Sequence, residues 1–211
     1  MYSYSYRPLT NLDKNFERES GHTVSSPLLF DLINDLSKEK HHEIFDVMPA
    51  TNDIVNAFSA FSCKLYLPGC LHELRGMRSD KYDTCNKLHR ALVKNIGFYK
   101  NKKAKLNVIF LWDLPNYLDK NIMKGLIEYL SNHIHENVKL HLYIHTRQQM
   151  PSSPSIYTIM SDGKVGLEKN VDATIKCPLY FRDALQTLLH PFSVKRSMLL
   201  SNGMQEYVLE L

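Results

Sequence analysis

Apolar residues recur along this chain in two periods, and the alternation between them divides it into strand and helix segments. After Ser25-Ser26-Pro27, apolar side chains at Leu28, Leu29, Leu32, Ile33 and Leu36 keep helical spacing. Serine caps such a helix and proline suits its first turn. Residues 43–48 predict a short strand ended by Pro49, and residues 53–61 a helix with Ile54, Val55, Phe58 and Phe61 inward. Residues 63–67 predict a second short strand, ended by Pro68-Gly69. Residues 82–98 carry Leu88, Leu92, Val93 and Ile96 at helical spacing. Residues 106–114 are almost continuously apolar, as in a central parallel strand covered on both faces. A helix over 119–133 and a strand over 138–145 follow. Strand and helix in this alternation predict a doubly wound, mostly parallel α/β sheet.

The last third changes pattern. Residues 156–160 and 164–168 flank Ser161-Asp162-Gly163, a strong hairpin signal. A helix over 179–189 leads to a second hairpin, residues 192–200 against 204–209 around Ser201-Asn202-Gly203. At 211 residues the chain is long for one typical domain and short for two. No repeat, linker or low-complexity stretch marks a boundary, so the expectation is a leader over 1–24 and one domain over 25–211.

Composition narrows the function classes. A hydrophobic share of 44% supports a sizeable core, yet no run reaches the length of a membrane span. The start of the chain lacks an apolar signal region and alternates Tyr2, Tyr4 and Tyr6 with serine; a cytoplasmic location is the expectation. Cys63, Cys70, Cys85 and Cys177 show no paired spacing, which favours reduced thiols over structural zinc, and no metal is expected. The net charge of +4 is mild, and the basic residues concentrate at Lys100, Lys102, Lys103 and Lys105. A solvated loop explains them better than a nucleic-acid surface, which spreads basic residues along a face.

Three segments together resemble the class I S-adenosylmethionine-dependent methyltransferases, more closely a bacterial branch of that superfamily. They are Phe45-Asp46-Val47-Met48-Pro49-Ala50-Thr51-Asn52-Asp53, where the family's first strand enters its glycine-rich loop; Val108 to Leu118, like the fourth strand and its following loop; and Asn202 to Tyr207, like the reversed last strand. The resemblance covers residues 25–211. It implies a Rossmann-like doubly wound sheet with a C-terminal antiparallel hairpin, S-adenosylmethionine as cofactor, and transfer of a methyl group to a small molecule. It places Met48, Pro49, Ala50, Thr51, Pro68, Gly69, Trp112, Asp113 and Leu114 at the cofactor crevice. The sequence departs from the family where chemistry is concentrated. No glycine lies between Glu43 and Pro68, and the end of the second strand has no carboxylate for the ribose hydroxyls. Glu73, a turn later, is the one substitute.

Asp113-Leu114-Pro115-Asn116-Tyr117 follows the central strand at its carboxyl end, where open α/β sheets place ligands. Asn116, Tyr117 and His145 are the expected substrate-pocket residues. The alternative for this loop is a helix start capped by Asn116 or Asp119, with Trp112 and Tyr117 packing. His133, His135, His141 and His145 cluster in sequence; solvent-exposed or hydrogen-bonded histidines are the reading favoured over a metal set. No nucleophile elbow, P-loop or zinc-protease helix occurs, and no catalytic residue is identified. Two functions stand: a methyltransferase with an eroded cofactor site, acting on a small-molecule or protein acceptor, or a non-enzymatic descendant that binds a protein or another ligand. Oligomeric state is open.

Overall fold

The most apolar stretch of the chain becomes the middle of a six-stranded sheet. The computed structural model describes residues 22–36, 38–81, 85–96, 105–160, 163–168 and 173–211. Its first half contains β1 (His22–Ser25), α1 (Pro27–Asn34), β2 (His42–Asp46), α2 (Asn52–Phe58), β3 (Cys63–Tyr66), α3 (Leu71–Gly76), α4 (Cys85–Ile96) and β4 (Leu106–Trp112). Then come α5 (Lys120–Ser131), β5 (Ile134–His145), β6 (Gln149–Pro151), β7 (Ile156–Ile159), β8 (Lys164–Glu168), β9 (Thr174–Lys176), α6 (Arg182–Leu188), β10 (Ser193–Leu199) and β11 (Met204–Glu210).

The main sheet has the order β10-β11-β5-β4-β2-β3. β3, β2, β4 and β5 run parallel, while β11 is antiparallel to both β5 and β10. The reversed final strand implied by the resemblance is therefore present, inserted between β5 and its own hairpin partner. Among the described residues β3 is one edge of this sheet and β10 the other. The core runs through Ile44, Phe45, Val108, Ile109, Phe110, Leu111, Leu140 and Leu142, each at most 1% exposed. Near-total burial on both faces accounts for the continuous apolar run of β4.

Both hairpins form where the sequence predicts them. Gly203 adopts a φ of 85° at the β10–β11 turn, which a side chain would strain. The Asn202 side chain accepts from Met204 N at 3.0 Å, fixing the register. β7 and β8 pair antiparallel, and β1 adds to β8 to make a three-stranded sheet. The boundary expected after residue 24 thus falls inside a strand, because His22 to Ser25 are held by a ladder to residues 164–167. The tyrosine-rich start and the lysines at 100, 102 and 103 lie outside the described residues.

Other differences have local causes. The helix expected to reach residue 133 stops at Ser131, because the His133 carbonyl accepts from Leu106 N at 2.7 Å and the chain joins the sheet. β5 consequently begins four residues earlier than its apolar pattern. Asp119, not Asn116, caps α5, accepting from Asn121 N at 2.8 Å. β6 and β9 pair antiparallel outside the main sheet, and α3 forms a short helix over a segment that sequence left unassigned. Among the described residues no helix is long and apolar enough to cross a membrane.

Candidate functional site

The carboxyl ends of β2 and β4 meet in one hydrogen-bonded unit. Asp46 closes β2 and is 1% exposed. Its Oδ1 accepts from Trp112 Nε1 at 2.7 Å and from Met48 N at 2.8 Å, while Oδ2 is buried without a partner. Burial outweighs those donors and pushes the carboxyl up to about 7. Trp112 ends β4 with a φ of 49°, in the left-handed region that non-glycine residues seldom adopt. That turn swings the indole onto Tyr157 of β7, with ring centroids 4.8 Å apart and planes 9° from parallel. Phe110 and Tyr143 flank it at 5.6 and 6.0 Å.

A second cluster forms around Asp113, which has no exposed surface. Its Oδ2 accepts from Ser155 N at 3.5 Å and lies 3.4 Å from His145 Nε2. Its Oδ1 has no partner. Asn116 ties the two strand ends together: its amide donates to the Asp113 and Tyr143 carbonyls, and its oxygen accepts from His145 N at 3.2 Å. Tyr117 donates to the Ser153 carbonyl and sets its ring edge-on to His145. Burial, then the Asp113 charge, raises the Tyr117 hydroxyl above its ordinary range. The Arg75 guanidinium lies 5.6 Å from the Tyr117 ring centre and donates to the Ser152 carbonyl. Residues 152–157 therefore lie across the ends of β4 and β5. The His145 side chain, 13% exposed, reaches solvent from this cluster beside a buried carboxylate. An imidazole so placed can hold or take a proton at Nε2.

The structure distributes the expected cofactor residues among different environments. Met48, Trp112, Asp113 and Leu114 are buried, at 4% exposure or less. Pro49 and Ala50 are exposed, and Thr51 caps α2 by accepting from Ile54 N at 3.3 Å. Pro68 and Gly69 follow the end of β3, where Tyr66-Leu67-Pro68-Gly69 offers no carboxylate. Glu73 is exposed in the first turn of α3 and makes no hydrogen bond or ion pair among the described residues. Of the expected substrate residues, Asn116, Tyr117 and His145 come together at Asp113.

Sequence reasoning missed a third polar cluster. Glu206 of β11 has no exposed surface. Its Oε1 accepts from Ser26 Oγ at 2.6 Å and Leu29 N at 2.8 Å and lies 2.9 Å from His141 Nε2; its Oε2 accepts from Leu28 N at 3.2 Å. Ser26 Oγ also bonds the Tyr143 hydroxyl at 2.7 Å. Burial opposes the Glu206 charge, but these donors prevail and its carboxyl is lowered. Glu206 thus caps α1, the role expected of serine. The one available signal was a carboxylate inside the apolar run of residues 204–209. Among the described residues no group of three or more His, Cys, Asp or Glu is placed to hold a metal.

No family model and no curated protein matches this chain. Among solved structures it is similar to a S-adenosylmethionine-dependent methyltransferase from Clostridium acetobutylicum, with 12% identity, 87% of this chain and 88% of that one covered, and a TM-score of 0.49. The glycopeptide N-methyltransferase MtfA complexed with S-adenosylmethionine gives 11%, 88%, 93% and 0.46. The pyocyanin biosynthetic protein PhzM gives 14% identity and a TM-score of 0.46; 85% of this chain spans only 53% of its length. At such identities likeness concerns fold alone. The four parallel strands, the reversed final strand and its place beside β5 give the chain a class I methyltransferase-like fold.

Proposed function

We propose that this chain is a methyltransferase-fold protein that serves as a protein- or ligand-binding module and does not use S-adenosylmethionine. The observation that carries this reading is the Asp46–Trp112–Tyr157 unit, in which the carboxyl holds the indole N–H through one oxygen and Tyr157 covers the indole face at the ends of β2 and β4. Trp112, Asp113 and Leu114 have no surface to offer a ligand. Pro49 supplies no backbone donor, and the ribose position after β3 lacks an acid. These residues do not fit the cofactor. Separating Trp112 from Tyr157 to admit it costs about 2–4 kcal/mol of re-exposed aromatic surface and lost stacking.

A second reading, a small-molecule methyltransferase, has one observation in its favour: the Asp113–His145 pair with Asn116 and Tyr117, at the end of the sheet where the resemblance puts the acceptor. Calorimetric titration with S-adenosylmethionine and S-adenosylhomocysteine separates the two. Trp112 is the sole tryptophan, so its emission reports on the same spot. The binding-module reading expects no heat and unchanged emission at about millimolar ligand. Micromolar binding with altered emission overturns it in favour of the enzyme, and His145→Ala then tests the acceptor side.

A further inference from the structure

The opposite end of the sheet carries a cavity that neither function uses. About 510 Å³ in volume, it opens at the amino ends of β2, β4 and β5 beside the last turn of α1. The seven residues of β4 put it about 20 Å from the Asp46–Trp112 unit at the usual strand rise. Its volume suits a small organic ligand.

The polar groups around it are unequally committed. The side-chain acceptors each hold a protein donor through one oxygen. Glu43 Oε2 accepts from Lys105 N at 2.8 Å and from Tyr66 Oη at 3.1 Å. Asp35 Oδ2 holds Lys139 Nζ at 2.8 Å, and Asn107 Oδ1 accepts from Glu43 N at 2.8 Å. The donors are left over. Neither Lys40 nor Lys105 has a carboxylate partner among the described residues, and both side chains are exposed at the cavity. The Asn107 amide nitrogen likewise has no acceptor there. His135 Nδ1 accepts from Asn137 N at 3.2 Å, which puts the proton of the neutral ring on Nε2 and makes that nitrogen a donor. The cavity thus combines ammonium, amide and imidazole N–H groups with carboxylates already bonded.

Uncommitted donors on four side chains, two of them cationic lysines, select a ligand made of acceptors with negative charge. We infer that the amino-end cavity binds a small phosphate-bearing anion through Lys40, Lys105, Asn107 and His135. It is too large for one phosphate group alone, so a diphosphate or a phosphate ester is the class it fits. The site is independent of the carboxyl-end reading and stands whether or not S-adenosylmethionine binds.

The test titrates the full chain with inorganic pyrophosphate by calorimetry, with sulfate as the charge control. The parent binds pyrophosphate at least about tenfold more tightly than sulfate, and melts at higher temperature in its presence. The double variant Lys40→Gln/Lys105→Gln loses about tenfold or more in affinity, as removal of two charge-assisted donors requires, while Lys124→Gln on the exposed face of α5 loses none. All three substituted lysine positions are solvent-facing, and matching thermal transitions without ligand verify folding of each variant. Three outcomes overturn the inference: no binding at about 10 mM pyrophosphate, equal loss in Lys124→Gln, or tighter binding of duplex DNA than of pyrophosphate with affinity falling steeply with salt.

Discussion

Asp46→Asn removes the charge that the end of β2 is built to disfavour, and its effect on stability should depend on pH with a defined sign. The unfolded carboxyl releases its proton near its ordinary 3.8, whereas burial in the fold retains the proton up to about 7. Between those values the folded state binds more protons than the unfolded one, so stability falls as pH rises through that window and levels off above it. A rise from 3.8 to about 7 corresponds to about 4 kcal/mol of lost stability. Asparagine keeps an oxygen for Trp112 Nε1 and Met48 N and carries no charge, so the variant escapes this loss. Measured by urea unfolding with far-ultraviolet circular dichroism, the variant gains on the parent by about 4 kcal/mol between pH 4 and pH 8, a widening of about 1–2 M in midpoint. A gap between the two proteins that stays constant to within about 0.5 kcal/mol across that range refutes the reasoning, because Asp46 would then titrate as an exposed carboxyl.

Two further substitutions probe the packing that sets these sites. Glu206→Gln replaces one of two acceptor oxygens by an amide donor, so a backbone N–H at the start of α1 loses its partner and the helix loses its negative charge; the cost is about 2–4 kcal/mol at pH 7, read as a lower thermal midpoint. Because the Glu206 carboxyl is lowered, its contribution is complete above its ordinary 4.5 and is lost as pH falls through its folded value, so the parent loses its advantage in acid, whereas in Asp46→Asn it is the variant that loses its advantage there. Gly125→Ala aims a methyl group at the Leu88 side chain where α5 meets α4, and overpacking there costs about 1–3 kcal/mol in chemical denaturation; an unchanged midpoint would show that α4 yields freely.

The elements legible in the sequence are those whose signal is local. The turns at Gly163 and Gly203, the β4 run and the Pro27 start of α1 each declare themselves within a dozen residues, because turn chemistry and side-chain period are short-range properties. The carboxyl-end position of Asp113 and its neighbours Asn116 and Tyr117 followed from strand order, since connection rules leave few topologies to consider. The early start of β5 was hidden because Ile134 to Asn137 carry no strand alternation, and sheet pairing with residue 106 decided the matter.

By itself, then, the sequence determined an α/β sheet ending in a reversed strand, and the absence of a glycine loop and ribose acid. Only the tertiary structure decided that Glu206, 180 residues from Ser26, caps the first helix, that Trp112 turns under Tyr157, and that Asp113 meets His145. It also decided that Lys40, Lys105, Asn107 and His135 bring uncommitted donors to the amino-end cavity. The reason is physical: periodicity and turn chemistry are encoded between near neighbours, whereas the partner of a buried charge or ring is chosen by which distant segments the closed fold brings into contact, and burial strengthens that choice.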